Sequence, residues 1–265
     1  MVRMGNGMEE LQIQLAAQGE VISPEVARVR DINRRISIAL ARMIGANREK
    51  IMSAADGFGE VLKLGVECFI SHAEIDGWDR IPADENIVIA FGHPSSVVDS
   101  TVLMERISSV SPQRPWAMVA QFFNLARNCP ELVADGGFAK HMISVDRRGS
   151  KVVNKDEILG KSITLLRGNG NAALFIAPAA PEDAQFAPLT DIPRPHRGFA
   201  VIAREVRARI VPVLGQLVAV DAEALRFDTK YTVLPPFEPF EDDAQTRLEW
   251  QKRMQEALRG MSSPL

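Results

Sequence analysis

The chain has 265 residues, 46% of them hydrophobic, which is ample material for a buried core and excludes a disordered tail. Its 31 Lys and Arg against 34 Asp and Glu leave a formal charge of -3, so nucleic acid is not an expected partner. Two cysteines, Cys68 and Cys129, far apart and without histidines at ligand spacing for a full site, exclude a disulfide scaffold and a zinc knuckle; a reducing, cytoplasmic setting is expected. Glu9, Glu10, Gln12 and Gln14 interrupt the apolar residues of the first fifteen, so no signal-peptide core forms there. No run reaches the roughly 20 apolar residues that a spanning helix needs, so any membrane contact is expected from outside the bilayer.

Ser23-Pro24-Glu25 offers a capping side chain, a proline at the first helical position and an acid in the first turn, which predicts a helix start. Val29, Ile32, Ile36, Leu40 and Met43 then recur every three or four residues as an apolar stripe. Arg28, Arg35 and Arg42 form a basic strip beside it. That strip fits two settings: peripheral contact with the cytoplasmic face of a membrane through the N-terminal helices, or an ordinary bundle with solvated or paired arginines. The bundle is favoured, since such stripes usually face a core. A second helix is expected from about Arg48 to Ile70, weakest at Gly57 and Gly59.

After Pro82 short apolar runs alternate with helical stretches. Strands are expected over Asn86 to Phe91, His141 to Val145, Ala172 to Ile176, Ile210 to Leu214 and Lys230 to Leu234. Helices are expected over Ser100 to Ser108 with Asp99 as cap, Trp116 to Arg127, Phe199 to Arg207, and from near Asp243 to Gly260. The pattern predicts an α/β fold with a largely parallel central sheet flanked by helices, preceded by an N-terminal helical region. The expected division is a helical region over 1–80 and an α/β domain over 81–265.

Of the four histidines, His93 stands out. It follows the strand ending at Phe91 and precedes Pro94-Ser95-Ser96, with Asp99 at the start of the next helix. A strand-to-helix junction places side chains at the open end of a sheet, where α/β proteins bind ligands. An imidazole there accepts a proton near neutral pH, and a carboxylate on its other nitrogen fixes the tautomer. Such a pair suits activation of a substrate hydroxyl for attack on an acyl carbonyl. A His and an Asp this close also serve simply as turn and cap residues.

The order of four segments adds to this. Phe91-Gly-His-Pro-Ser-Ser-Val-Val-Asp-Ser-Thr-Val-Leu103 resembles the first motif of the glycerolphosphate and lysophosphatidate acyltransferase family, a His-x-x-x-x-Asp pair after a strand. Met142-Ile-Ser-Val-Asp-Arg147 resembles its second motif. Ala173-Leu-Phe-Ile-Ala-Pro178 stands in the place of the third, and Arg197-Gly-Phe-Ala200 with Ile210-Val-Pro-Val213 resembles the approach to the fourth. The resemblance covers about residues 76 to 260. It implies transfer of a fatty acyl group from coenzyme A or acyl carrier protein to a hydroxyl acceptor, with no cofactor besides that co-substrate. It assigns His93 as base and Asp99 as its orienting partner. Substrate contacts would come from Arg147, Ser95, Ser96, Pro178, Arg197 and Pro212, with Arg147 on an anionic acceptor. Two departures are visible: five residues separate His93 from Asp99 where the family has four, and Ala179-Ala-Pro-Glu182 replaces the family's Glu-Gly-Thr-Arg. The second removes an acid and a phosphate-binding arginine, which Arg194, His196 or Arg197 could offset, and widens the acceptor to a neutral lipid or small metabolite.

Other patterns carry less. Gly168-Asn-Gly-Asn-Ala-Ala173 fits a dinucleotide fingerprint in spelling, but a strand-like run follows it where a helix is required, so a turn between two strands is expected. No serine-hydrolase elbow or phosphate-cradling loop occurs. Cys68 and His72 could make half a metal site, yet read better as packing residues, while His141 and His196 show no partner. Two rival functions remain open: a non-catalytic lipid- or acyl-carrier-binding protein of the same fold, and a thioesterase.

Overall fold

The structure, a computed structural model, describes residues 23–92, 97–111, 114–120, 141–148, 151–178 and 190–262. Ser23 caps helix α1 (Pro24–Ala46), its hydroxyl accepting from Val26 N–H at 3.3 Å, and Ala27, Val29, Ile32, Ile36, Met43 and Ile44 form the buried face. The expected second helix is two: α2 (Arg48–Ser53) and α3 (Gly57–Phe69). The break falls where Asp56 turns to cap α3, its carboxylate accepting from Phe58 and Gly59 N–H at 3.1 Å.

Strand β1 (Ile70–Asp76), a 3-10 turn (Trp78–Arg80), β2 (Ile87–Phe91), α4 (Val97–Val110), β3 (Trp116–Ala120) and β4 (Met142–Ser144) follow. A small hairpin of β5 (Arg147–Arg148) and β6 (Lys151–Val152) leads to α5 (Lys155–Gly168), β7 (Ala173–Ile176), α6 (Gly198–Val206), β8 (Arg209–Asp221), β9 (Arg226–Val233) and α7 (Asp243–Ser262). The seven-stranded sheet has the order β1-β9-β8-β2-β7-β3-β4. β8, β2, β7, β3 and β4 are parallel; the β8–β9 hairpin reverses direction, and β1 runs parallel to β9.

Three further expectations change. Trp116–Ala120 is a strand, not the start of a helix, because a parallel strand covered on both faces reads as an unbroken apolar run. β1 lies within the stretch expected to be helical; most of its side chains are exposed, so it carries no apolar alternation, and it forms as an edge strand by pairing with β9. Ile163 to Leu166 belongs to α5, so Gly168–Ala172 joins a helix to a strand, the reverse order of a dinucleotide fingerprint.

The sheet separates two apolar layers. Ile87, Ile89, Phe91, Phe175, Val211, Val213 and Tyr231 face α1, α3 and α4, while Val88, Ala90, Leu174, Ile210 and Leu214 face α5, α6 and α7. Among the described residues no helix is long and apolar enough to cross a membrane.

Candidate active site

Adjacent strands β2 and β7 send their chains to opposite faces: β2 leads to α4, which packs in the first layer, and β7 leads to α6, which packs in the second. The carboxyl ends of such a pair form the crevice where open α/β sheets bind ligands. Ala90 is paired with Ile176 and with Pro212, so Gly92 and Pro178 stand level at that crevice. Gly92 N–H donates to Val213 O at 2.9 Å, which fixes the backbone immediately before His93.

His93, Ser95 and Ser96 lie outside the described residues, as does the side chain of Asp99. The helix begins at Val97, so Asp99 is its third residue and not the cap ahead of it. An acid there is favoured by the helix dipole in addition to any role beside an imidazole. Arg147 opens β5 on the carboxyl side of β4, three strand positions from β2, about 14 Å across the sheet; its side chain lies outside the described residues.

Pro178 is buried, and its carbonyl accepts from His196 N–H at 2.7 Å, which brings the Arg194–Arg197 segment to the carboxyl end of β7. Arg197 is already engaged: its Nε donates to Asp243 Oδ2 at 2.7 Å, and Arg204 Nη1 donates to Oδ1 of the same buried carboxylate at 2.6 Å. Its side chain remains 68% exposed, so part of the guanidinium faces solvent. Pro212 is buried within β8, level with Ala90 and therefore below the crevice. Its carbonyl accepts from Leu234 N–H at 2.9 Å, one position past the last β8–β9 pair, so the missing amide proton falls at the end of that ladder.

Beside the crevice an apolar groove, partly open to solvent, runs between α1, α3, α4 and the sheet. Val98, Thr101 and Met104 line it from α4, Phe58, Leu62, Gly65 and Phe69 from α3, Ile36 and Leu40 from α1, and Met118 from the sheet. Gly65 lets α3 and α4 approach closely at this wall: a Cβ there would stand 3.2 Å from Thr101 Cγ2. No local motif announces this groove, since its residues read as ordinary core positions of three separate helices.

His141 has partners that the sequence does not reveal. Its Nδ1 lies 2.9 Å from Trp116 O, which can only accept, so Nδ1 carries the proton; Nε2 faces Asp56 Oδ1 at 3.6 Å, and the ring stacks on Trp116 with centroids 4.1 Å apart. Register places His141 level with Ala117 and hence Val88, toward the amino ends of the strands and away from Gly92. This pair ties α3 to the sheet. The neighbouring His141 imidazole holds the Asp56 carboxyl below the ordinary aspartate range, helped by Gly59 and Phe58 N–H and opposed by burial. A depressed carboxyl stabilises the fold above its unfolded pKa, and that contribution disappears as pH falls through the lower folded value. Asp56→Asn should therefore lower stability at neutral pH and flatten the loss of stability below about pH 4, measured by urea unfolding across pH. His72 is exposed on β1 and Cys68 sits on α3; among the described residues no cluster of three metal-ligating side chains occurs.

No protein-family model matches the chain, and no curated protein matches its sequence. Among solved structures, the chain is similar to the 1-acyl-sn-glycerophosphate (LPA) acyltransferase PlsC from Thermotoga maritima, with a TM-score of 0.55 and 13% identity, over 89% of this chain and 99% of that chain. At that identity the likeness establishes a shared fold: an α/β sheet flanked by helices and preceded by an N-terminal helix.

Proposed function

We propose that the chain is an O-acyltransferase that moves a fatty acyl group from a thioester of coenzyme A or acyl carrier protein to a hydroxyl acceptor. The observation that carries this reading is the apolar groove along α4, the helix that follows directly on the His93 segment, in a fold similar to that of a solved glycerophosphate acyltransferase. A groove walled by Phe58, Leu62, Phe69 and Met104 suits an acyl chain, whose methylenes each gain about 0.8 kcal/mol on leaving water.

In this reading His93 takes the proton of the acceptor hydroxyl while Asp99 orients the ring. The alkoxide oxygen attacks the thioester carbonyl, backbone amides of the loop after Gly92 hold the oxyanion, and the carbon–sulfur bond breaks as the intermediate collapses. The proton passes from the imidazolium to the departing thiolate. Ser95, Ser96 and Pro178 shape the acyl and acceptor surfaces, and Pro212, buried in β8 below the crevice, only backs them. Arg147, supported by the exposed part of Arg197, meets the anionic group of a glycerolphosphate- or lysophospholipid-like acceptor, and the altered third motif leaves room for a divergent one. The outer strip of α1, with Arg34, Arg42 and Ile38, the last 42% exposed, suits contact with a cytoplasmic membrane surface from which a lipid acceptor is drawn.

Thiol release from an acyl thioester, followed with and without acceptor, tests this reading. Release that depends on acceptor supports it. Release that ignores acceptor identifies a thioesterase, and binding without release identifies a carrier. Arg147→Ala should raise the acceptor KM by about tenfold or more while leaving the donor KM within twofold, since a charge-assisted hydrogen bond contributes about 1.5–3 kcal/mol. An unchanged acceptor KM removes Arg147 from that role.

A further inference from the structure

We propose that α7, which lies outside every sequence motif, fixes the exit of β2 through Trp250 and Met254, directly ahead in sequence of the base proposed at residue 93. The inference rests on the acyltransferase reading for its catalytic consequence but not for its geometry. Helix α7 has one exposed face, while a row of its side chains, Thr246, Trp250, Met254 and Leu258, is buried at a spacing of four. That row follows β2. Trp250 Nε1–H donates to Ala90 O at 3.0 Å, and the methyl of Met254 stands 3.0 Å from where a Cβ on Gly92 would be. Four helical residues advance about 6 Å and two strand residues about 6.6 Å, so the row and the strand keep step from Ala90 to Gly92.

The helix is itself held from several directions, as a strut must be. Arg197 and Arg204 grip Asp243 at its first residue. Gln251 Nε2 donates to Ile192 O at 2.9 Å and Gln255 Nε2 to Asp191 Oδ1 at 2.7 Å, while Arg253 donates to Pro235 O at 2.9 Å and lies 4.6 Å above the Phe237 ring. One element thus fixes both the backbone before His93 and the segment that carries Arg197. Ala90 lies in a strand paired on both sides, so the indole bond is not needed to form the strand. Its effect is to fix the strand end against the second layer, and an error of about 1 Å in a reacting group costs on the order of 100-fold in rate.

Trp250→Phe keeps the ring and removes the donor. The expected result is a kcat about tenfold lower, donor and acceptor KM within twofold, and a shifted His93 imidazole resonance and titration midpoint by nuclear magnetic resonance. Leu248→Ala, on the exposed face of the same helix, should change none of these. As a second arm, Gly92→Ala drives a methyl into Met254 and should lower kcat, and adding Met254→Ala should restore it, a coupling that general loss of stability does not produce. The proposal is overturned if Trp250→Phe leaves both kcat and the His93 resonance unchanged, or if the double variant is no better than Gly92→Ala. A wild-type protein without transfer activity would sink the acyltransferase reading alone, and the His93 resonance in Trp250→Phe would still decide the positioning role.

Discussion

Replacing His93 with alanine is expected to lower acyl transfer at least 100-fold and up to about 10,000-fold, the range that a positioned general base supplies. The loss should fall on kcat, because the imidazole acts on the proton in flight and contributes little to holding either substrate. Added imidazole should recover part of the rate if the vacated space reaches the acceptor hydroxyl. A thermal melt close to that of the wild type makes the comparison meaningful, since residue 93 follows a strand whose own residues are buried. Undiminished turnover in a folded His93→Ala protein would take the base role away from this residue.

Filling the groove should change which acyl groups are accepted. Gly65→Leu places a side chain where even a Cβ meets Thr101 Cγ2 at 3.2 Å, so the added atoms must occupy the space between α3 and α4. Excluding three methylenes costs about 2.4 kcal/mol at about 0.8 kcal/mol each, roughly 50-fold in kcat/KM. Long-chain thioesters should lose that factor while short-chain ones stay within threefold. Overpacking also destabilises, by about 1–3 kcal/mol, so Leu40→Phe on the opposite wall serves as a second variant with the same expected preference. Equal losses for every chain length would show that the groove does not hold the acyl group.

The central layer of the fold is legible because its chemistry is local. Ile87–Phe91 and Ala173–Ile176 are short, apolar and bounded by loops, and Ser23-Pro24-Glu25 announces α1 through capping groups that the structure uses. What escapes is decided by partners distant in sequence. β1 is polar and becomes a strand only because β9 offers it a row of backbone groups, and Trp116–Ala120 is ambiguous until both its faces are covered. At the candidate site, the His93 segment and the carboxyl ends of the strands follow from motif order. The groove does not, because it is assembled from single residues on α1, α3 and α4. Nor does the engagement of Arg197 by Asp243, 46 residues away, or the bond from Trp250 to Ala90 across 160. His141 had no visible partner for the same reason: Asp56 and Trp116 meet it only in three dimensions.

The acyltransferase reading is tested most directly by mass spectrometry of the products formed from one isotopically labelled long-chain acyl thioester and a panel of hydroxyl acceptors, anionic and neutral. The account predicts a labelled ester of at least one acceptor, formed by the wild type and nearly absent with His93→Ala. Labelled free fatty acid alone, or intact thioester recovered bound to the protein across the whole panel, would contradict it.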